Sequence, residues 1–262
     1  MSDRRSEPLL AGLRELAATE RLLVALDFDG TLAPEVDDPE RARALPEARS
    51  AVLRLLDAPD TRVALISGRA LASLERVAEL PDTVLLVGSH GIELRLDTPE
   101  TRLSLDRDEL TRVGELGRLL DEIAASVDRV WLESKPAGFA LHTRLATDAD
   151  GRTAHLVALE RTEAELPGLT VRRGKNVLEF SVRSTTKGEA VEHLRRYTAA
   201  TAVFYAGDDV TDEDAFAALG DGDLGLKSGT GETVARFRVA DPAAVAAALH
   251  ELAELREARA HS

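Results

Sequence analysis

The stretch LLVALDFDGTL, residues 22–32, decides the fold class of this chain. It begins with a continuous apolar run, ends that run in Asp27, and places a second acid, Asp29, two positions later. Continuous apolar runs are typical of strands buried on both faces, as in a parallel sheet covered by helices. Gly30, directly after the second acid, permits a sharp turn. The stretch therefore predicts a buried strand with two carboxylates at its end.

The sequence that follows continues the same pattern. Apolar runs over 62–68 and 83–91 predict two further strands, and segments with helical periodicity over 46–57 and 70–80 separate the three runs. The alternation resumes at Lys187 and continues towards the end of the chain. Strands that alternate with helices predict a parallel sheet with right-handed crossovers.

The pattern changes between these two parts. Apolar and polar residues alternate there in three pairs of short segments: 92–96 with 102–105, 131–135 with 139–146, and 169–174 with 176–182. Such alternation is typical of antiparallel strands with one open face, and predicted helices over 107–127 and 148–166 accompany them. We therefore expect an α/β core of residues 1–95 and 184–262, interrupted by an α+β insert of residues 96–183.

The composition excludes several classes of protein. The 262 residues include 33 Lys+Arg against 47 Asp+Glu, which leaves a formal net charge of −14. There is no cysteine, so a disulfide framework, a thiolate zinc site and a cysteine nucleophile are excluded. No apolar run approaches the roughly 18 residues of a membrane span, and the first residues lack the apolar core of a signal peptide. We therefore expect a cytoplasmic protein with no membrane partner and, because of its acidity, no nucleic-acid partner. We also expect a monomer.

Lysine is rare in this chain, since only four of the 33 basic residues are lysines. A lysine carries a compact point charge that suits a single phosphate or hydroxyl oxygen, whereas arginine serves wherever a solvated cation is enough. The four lysines are therefore candidate site residues: Lys135, Lys175, Lys187 and Lys227. Lys227 matches no motif, and we interpret it as a solvated loop lysine.

Acidic residues end two of the predicted buried strands. Asp27 and Asp29 follow the first of them, and Asp208 and Asp209 follow the apolar run AVFYAG, residues 202–207. In an open parallel sheet, ligands bind beyond the carboxyl ends of the strands, where these acids would meet. Acids at the ends of buried strands are costly without a cation, and clustered carboxylate oxygens suit Mg²⁺. We therefore predict that Mg²⁺ is bound at this edge.

Two other features predict an anion at the same edge. Ser67 and Gly68 lie where a strand meets a helix, and a hydroxyl, backbone N–H groups and a helix start together suit a phosphate. Lys187 begins another helix, where the helix dipole disfavours a cation, so an anion within its reach explains it better. Because two neighbouring carboxylates can divide the roles of nucleophile and acid, these residues together predict phosphoryl transfer.

These residues also carry a resemblance to a known superfamily. The segment DFDGTL, residues 27–32, resembles the DxDGT signature of the haloacid dehalogenase superfamily. Ser67, Lys187 and the segment GDD at 207–209 match its later motifs in the correct order. The resemblance implies a Rossmann-like α/β core with a parallel sheet, an inserted α+β cap domain, and a Mg²⁺-dependent phosphatase.

The same resemblance implies a role for each matching residue. Asp27 would be the nucleophile that forms a phosphoaspartate, and Asp29 would protonate the leaving oxygen and then activate water. The residues implied for holding the phosphoryl group are Ser67, Gly68 and Lys187. The residues implied for binding Mg²⁺ are Asp27, Asp29 through its backbone carbonyl, and Asp208, with Asp209 and Asp212 supporting them.

The insert is expected to choose the substrate. Successive side chains of a strand point to opposite faces of a sheet, so the strands of the insert place apolar residues on one sheet face. The two helices of the insert would cover that face. The other face carries a mixed polar set: Glu133, Lys135, His142, Arg144, Lys175 and Glu179. A solvated sheet face is one interpretation, but acids, bases and a histidine together also suit sugar hydroxyls. Laid over the core, this face would close the site and exclude water.

Four segments resemble the trehalose-6-phosphate phosphatase family: GSHGIE at 88–93, ESKPAGFALHTR at 133–144, GKNVLEF at 174–180 and GDDVTDEDAF at 207–216. The resemblance covers nearly the full chain. It implies hydrolysis of trehalose 6-phosphate to trehalose and phosphate, the last step of trehalose biosynthesis, with the six polar residues of the cap face contacting the sugar phosphate.

Three other interpretations stay open at this point. One is another capped sugar phosphatase, acting on sucrose phosphate, mannosyl-3-phosphoglycerate or a hexose phosphate. A second is a phosphoacceptor module without turnover, and a third is a non-catalytic binding domain derived from a phosphatase. Asp29 argues against the second, because a long-lived acyl phosphate has no use for a positioned acid and base. The retention of every motif residue argues against the third.

Overall fold

A computed structural model of the chain describes residues 7–97, 105–174 and 176–259. The helices are α1 (Glu7–Ala17), α2 (Pro46–Asp57), α3 (Leu71–Ala78), α4 (Arg107–Ser126), α5 (Asp148–Glu165), α6 (Lys187–Thr198), α7 (Asp212–Ala217) and α8 (Pro242–Arg259). The strands are β1 (Leu22–Leu26), β2 (Thr61–Ile66), β3 (Leu85–Gly88), β4 (Glu93–Arg95), β5 (Trp131–Lys135), β6 (Gly138–His142), β7 (Thr170–Gly174), β8 (Val177–Ser181), β9 (Ala202–Gly207), β10 (Leu224–Ser228) and β11 (Phe237–Val239). Among the helices of these described ranges, none has the length and apolarity to cross a membrane.

The first of two compact units comprises Met1–Arg102 and Thr185–Ser262. It contains a seven-stranded sheet in the order β11-β10-β9-β1-β2-β3-β4. Neighbouring strands are parallel except for β3 and β4, which are antiparallel. The predicted α/β class with a parallel sheet is therefore confirmed, and β1 lies inside the sheet between β2 and β9.

The apolar run of β1 is continuous because both faces of the sheet are covered. Leu22 and Val24 pack in a cluster with residues of α1, α2 and α8. Leu23 and Ala25 point to the other face, where they pack with residues of α6 and α7. All five residues of β1 are buried. Alternate side chains of a strand point to opposite faces, so burial on both sides requires an unbroken apolar run.

The strand register brings the chain segments after β1, β2 and β9 to one edge of the sheet. Leu26 is paired with Ala206 on one side and with Leu65 on the other. The N–H of Asp27 continues the ladder by donating to the carbonyl of Ala206 over 2.9 Å. The residues that follow these three strands therefore meet at the carboxyl edge, where open parallel sheets bind ligands.

The third strand ends earlier than the apolar run over 83–91 predicts. β3 ends at Gly88, and the chain then turns through Ser89 and His90, whose φ angles are 49° and 55°. The hydroxyl of Ser89 donates to the carboxylate of Glu93 over 2.9 Å and stabilises this turn. β4 then runs antiparallel to β3. The hairpin partner expected at 102–105 lies almost wholly outside the described residues.

The second compact unit comprises Leu103–Ser184 and contains a four-stranded sheet in the order β5-β6-β8-β7. All its strand pairs are antiparallel. On one sheet face, Leu141, Leu178 and Phe180 pack with Leu120 of α4 and Ala158 of α5. Because the chain leaves the first unit and later returns to it, this α+β unit is an insertion, as the change of pattern predicts.

Candidate active site

The nucleophile expected from the sequence, Asp27, lies in a buried charge cluster with Lys187 and Asp212. The ammonium of Lys187 is 2.9 Å from Oδ1 of Asp27 and 2.7 Å from Oδ1 of Asp212. The three side chains are at most 6% exposed. Lys187 occupies the first turn of α6, and a capping box formed by Thr186 and Glu189 fixes the start of that helix. The helix start therefore aims the lysine at two carboxylates that follow β1 and β9.

The electrostatics of this cluster leave an excess of negative charge. Burial raises the pKa of Asp27 well above its usual value, and the carboxylates of Asp212 and Asp208 raise it further, against the attraction of Lys187. Burial alone would lower the pKa of Lys187, but Asp27 and Asp212 more than offset this and raise it above its usual range. The ammonium of Lys187 thus lies among three carboxylates, those of Asp27, Asp208 and Asp212. A further cation would offset the remaining negative charge.

Asp212 has every oxygen engaged by the protein. Its Oδ1 accepts hydrogen bonds from Lys187 and from the hydroxyl of Tyr205, at 2.7 and 2.6 Å. Its Oδ2 accepts from the backbone N–H groups of Asp208 and Asp209, at 2.9 and 2.8 Å. Burial raises the pKa of Asp212 while Lys187 lowers it, and the net shift is downward. Asp212 therefore orients its neighbours as a fixed carboxylate.

The donor set fits a divalent cation. Asp27, Asp208 and Asp212 each offer an oxygen within 4.8 Å of the others. Because Asp212 is fully engaged, Asp27 and Asp208 are the side chains left to hold a cation. Burial, followed by repulsion from Asp212, raises the pKa of Asp208 to about 6, whereas its hydrogen bond with Asp27 lowers it. Two carboxyl groups that share a hydrogen bond suit a hard cation such as Mg²⁺, which prefers oxygen ligands.

Gly30 permits the close approach of the two acidic loops. Its φ is +73°, and a Cβ at this position would lie 2.0 Å from Oδ2 of Asp208. A side chain here would be strained by the backbone conformation and would collide with the carboxylate. Glycine is therefore required at position 30 for two reasons: the turn has a positive φ, and the carboxylate of Asp208 leaves no room for a Cβ.

Asp29, expected to act as acid and base, is held by an arginine that the site prediction omits. Its Oδ2 accepts from Nε of Arg69 over 2.5 Å and its Oδ1 from Nη2 over 2.6 Å. Its side chain is not part of the acidic cluster; the contribution expected from it towards Mg²⁺ is through its backbone carbonyl. Arg69 follows Ser67 and Gly68 directly, so the segment SGR contained the signal. A bidentate arginine–carboxylate ion pair of this kind fixes the orientation of the carboxylate.

The residues expected to bind phosphate lie after β2. Ser67 is buried, and its Oγ accepts from the N–H of Arg69 over 3.1 Å. A Cβ on Gly68 would lie 2.6 Å from the ring of His90, so the imidazole covers this glycine. Asp209, expected to support the metal ligands, is exposed, and its recorded contacts are made by its backbone.

The interpretation of Lys227 as a solvated loop lysine is wrong. Lys227 lies in β10 and is 3% exposed. Its ammonium donates to the backbone carbonyls of Asp208 and, over 3.3 Å, of Asp209. The next residue, Ser228, donates its hydroxyl to the carbonyl of Gly30 over 2.8 Å. A polar residue ending a short strand before a glycine-rich loop resembles a surface residue in the sequence, and only the packing of β10 beside β9 buries it.

The second unit brings together four of the six polar residues expected on one sheet face. Glu133 is 2.7 Å from the ammonium of Lys135 and 2.8 Å from Nε2 of His142. Hydrogen bonds with His142 and Lys135 lower the pKa of Glu133 to about 2. Glu179 lies in the same row of the sheet, since Ala140 pairs with both Glu133 and Glu179. Burial raises the pKa of Glu179, although Lys135 works against this shift.

This face includes one further residue, an aromatic one, and it is not shown to include the other two expected residues. Arg144 lies beyond the end of β6 and is exposed, and Lys175 lies outside the described residues. Trp131, on the edge strand β5, stacks on His142 with ring centroids 4.9 Å apart and planes within 6°. Because Trp131 and Glu133 are two positions apart on β5, strand alternation predicts that they share a face, but the stacking on His142 could not be foreseen from the sequence.

Known proteins resemble this chain in sequence and in fold. The family model described as trehalose-phosphatase matches residues 25–248. The chain is 32% identical over 91% of its length to 33% of the bifunctional trehalose-6-phosphate synthase/phosphatase of Thermoproteus tenax. It is 33% identical over 82% of its length to 80% of the trehalose-6-phosphate phosphatase of Escherichia coli. The solved C-terminal domain of the C. albicans trehalose-6-phosphate phosphatase matches with a TM-score of 0.77 at 24% identity, covering 95% of this chain and 96% of that one.

The lengths of these relatives differ from that of this chain. It spans between about a third and just over half of the length of the first curated relatives that it matches. The solved structures share the fold, a haloacid dehalogenase-like core with a parallel sheet and a separate antiparallel sheet. The resemblance carried by the four segments is thus confirmed by the family model and by whole-chain similarity. The chain belongs to the trehalose-phosphatase family.

Proposed function

We propose that this chain hydrolyses trehalose 6-phosphate to trehalose and phosphate, the last step of trehalose biosynthesis. The observation that carries the proposal is the buried carboxylate of Asp27, held by Lys187 beside Asp208 at the carboxyl edge of the sheet. A carboxylate nucleophile needs a fixed orientation, which Lys187 gives to Asp27, and positive charge for the phosphoryl group, which Lys187 and a bound cation together would supply.

In the proposed reaction, an oxygen of Asp27 attacks phosphorus while the bond from phosphorus to the sugar oxygen breaks. Asp29 gives its proton to the departing sugar oxygen. Water then attacks phosphorus, Asp29 takes its proton, and the acyl phosphate bond breaks to restore the carboxylate of Asp27. Ser67, Gly68 and Lys187 hold the phosphoryl oxygens through a hydroxyl, a backbone N–H and an ammonium. Bond making and bond breaking are balanced in each of the two steps.

The Arg69 pair orients Asp29 for this scheme. Each oxygen of Asp29 lies within hydrogen-bond distance of one nitrogen of the guanidinium. A carboxylate oxygen has two lone pairs, so each oxygen of Asp29 keeps one lone pair with which to carry a proton. Arg69 can therefore hold the orientation of Asp29 while Asp29 acts as acid and base.

Mg²⁺ is the cation that we propose for this site. Asp27 and Asp208 would hold it through their carboxylates and Asp29 through its backbone carbonyl, with Asp209 and Asp212 supporting that arrangement. When bound, the cation supplies positive charge that offsets the carboxylates and stabilises charge on the phosphoryl oxygens.

We propose that the insert, residues 96–183, is a cap domain that selects the sugar. The catalytic core would then comprise residues 1–95 and 184–262. The polar face of the insert offers carboxylate, ammonium and imidazole groups of the kinds that bind sugar hydroxyls, in Glu133, Lys135, His142 and Glu179. Arg144 and Lys175 are included in this proposal from the sequence. We further propose that the protein is a cytoplasmic monomer. Light scattering after size-exclusion chromatography would test the oligomeric state.

The test is phosphate release from a panel of phosphate esters in the presence of Mg²⁺. The panel contains trehalose 6-phosphate, sucrose phosphate, mannosyl-3-phosphoglycerate, glucose 6-phosphate and p-nitrophenyl phosphate. The variant Asp27→Asn is compared with the matched exposed substitution Asp57→Asn. We expect strong preference for trehalose 6-phosphate, abolished by the first substitution and unaffected by the second.

Other outcomes of the same panel decide between the alternatives. Preference for another sugar phosphate, lost with Asp27→Asn, would keep the chemistry and reject the substrate. Formation of a stable phosphoprotein without release would indicate a phosphoacceptor module. Equal activity of wild type and Asp27→Asn would reject the mechanism.

A further inference from the structure

The end of β10 contacts both acidic loops of the site. Lys227 donates to the carbonyls of Asp208 and Asp209, and Ser228 donates to the carbonyl of Gly30. Both residues are buried, at 3% and 2% exposure. The bond of Lys227 to Asp208 joins positions 19 residues apart in the chain, and the bond of Ser228 to Gly30 joins positions 198 residues apart. No step of the proposed reaction uses either side chain.

The charge of Lys227 is held in an unusual way. A buried ammonium is costly unless it is paired, yet its nearest carboxylate oxygen, Oε1 of Glu213, is 3.7 Å away. The two groups form an ion pair at this distance but no hydrogen bond: Oε2 of Glu213 accepts from the N–H of Val234 over 2.8 Å, and its buried Oε1 has no hydrogen-bond partner among the described residues. The hydrogen bonds of Lys227 therefore go to backbone carbonyls of the loop that carries Asp208. A lysine placed there fixes the loop itself.

The backbone of Asp208 is consequently held from two sides. Its N–H donates to Oδ2 of Asp212, and its carbonyl accepts from Lys227. The carboxylate of Asp208 lies over Gly30, whose carbonyl accepts from Ser228. Two adjacent residues of one strand thus contact both the loop that carries Asp208 and the loop that follows Asp27.

We propose that Lys227 and Ser228 are positioning residues that hold the two acidic loops at the spacing that a divalent cation requires. This inference rests on the proposed function to the extent that Asp27 and Asp208 bind a cation. Partners behind the ligands of a metal commonly change its affinity by about 10–100-fold when they are replaced. The loops of this chain acquire such partners from β10.

Charge and position make opposite predictions for the substitution Lys227→Met. The removal of a positive charge close to a cation site would, by electrostatics alone, strengthen cation binding. The loss of the bonds to Asp208 and Asp209 would let the loop move and would weaken it. The sign of the change in affinity therefore distinguishes a positioning role from a mere contribution to charge.

The experiment measures binding of Mn²⁺ alone to the full chain by electron paramagnetic resonance, which needs no turnover. We expect Lys227→Met to weaken binding by about tenfold or more and Ser228→Ala to weaken it by less. The matched control is Arg238→Met, because Arg238 also donates to backbone carbonyls, those of Gly229 and Gly231, on the neighbouring strand β11. Its Mn²⁺ affinity is expected to equal that of wild type.

A rescue experiment separates position from folding. Because the chain has no cysteine, Lys227→Cys can be alkylated uniquely with 2-bromoethylamine, in which the thiolate displaces bromide and an ammonium is restored. The unfolded variant is alkylated and refolded, and its circular dichroism is compared with wild type. We expect the alkylated protein to regain most of the Mn²⁺ affinity that Lys227→Met loses.

Each remaining outcome contradicts either the inference or its basis. Unchanged or tighter Mn²⁺ binding by Lys227→Met would overturn the positioning role. If Lys227→Met does not fold, the other two proteins decide. Wild-type Mn²⁺ affinity in Ser228→Ala would overturn the positioning role. So would a folded, alkylated Lys227→Cys protein that does not regain Mn²⁺ affinity. Absence of Mn²⁺ binding by wild type would instead contradict the proposed cation site.

Discussion

The acidic cluster of the first unit and the polar face of the second hold their charges differently. Lys187 and Asp212 are buried at 3% and 0% exposure, and each oxygen of Asp212 has two partners. Each oxygen of Glu133 has one partner, and its side chain is 45% exposed. Buried charges are tolerated only when they are fully partnered, whereas exposed ion pairs contribute little to stability.

This difference corresponds to two kinds of task. A buried carboxylate with every oxygen engaged, such as Asp212, has one arrangement, and it fixes its neighbours for a reaction centre that would act in the same way on every phosphate ester. A half-exposed set of acids and bases can exchange its partners for sugar hydroxyls at small cost. We therefore expect substitutions in the first unit to affect all substrates, and substitutions in the second to affect the choice among them.

The largest effect is expected from Lys187→Met. It leaves three carboxylates without their ammonium, so kcat should fall about 10²–10³-fold for sugar and aryl phosphates alike, and the free energy of unfolding by roughly 3–5 kcal/mol. Steady-state rates and urea unfolding measure the two quantities. A loss confined to trehalose 6-phosphate would break the comparison, because it would give a core residue the role of a specificity residue.

The next effect is expected from Asp29→Asn and depends on the leaving group. An alkoxide needs a proton to depart, whereas p-nitrophenolate does not, so phosphoenzyme formation should slow by about 10²-fold or more only for trehalose 6-phosphate. Stopped-flow absorbance should show a retained burst of p-nitrophenolate followed by slow turnover, because water is no longer activated. An undiminished steady-state rate with trehalose 6-phosphate would rule out the role assigned to Asp29.

A smaller and more selective effect is expected from Lys135→Met, the same chemical change made in the second unit. Loss of one charged hydrogen bond should raise KM for trehalose 6-phosphate by about tenfold and leave kcat/KM for p-nitrophenyl phosphate unchanged. Arg161→Met, which removes ion pairs on α5, is the control and should change neither. Equal effects of Lys135→Met on both esters would remove the distinction between the two units.

The smallest effect concerns stability and pH. The pKa of Glu133 is lowered from 4.5 to about 2, so its pairs stabilise the fold above pH 4.5, and this contribution is lost as the pH falls towards 2. Because the side chain is half exposed, Glu133→Gln should cost less than about 1 kcal/mol at pH 7. Urea unfolding at pH 4.5 and at pH 2 measures the difference, which should shrink at the lower pH as the carboxylate of Glu133 is protonated; this window lies below the range in which imidazoles ordinarily change charge. A difference that grows on acidification would contradict these pairs.

The site residues that sequence reasoning brought together share a local signal. Asp27 and Asp208 directly follow unbroken apolar runs, and Lys187 opens a helix where a cation is unfavourable. Tyr205 gave no such signal, because inside the apolar run of β9 it resembles an ordinary core residue. Its hydroxyl is nevertheless a partner of Asp212, and that role becomes visible only when α7 packs beside β9.

The sequence by itself determined the fold class, the inserted unit and the edge of the sheet where the chemistry belongs. Those properties depend on local periodicity and on motif order, which a single chain displays directly. Only the tertiary structure decided which carboxylates are left for a cation, which arginine holds Asp29, and which lysine contacts the loop of Asp208. Hydrogen-bond partners in a parallel sheet come from strands that are neighbours in space but distant in the chain, as the 198 residues between Gly30 and Ser228 demonstrate.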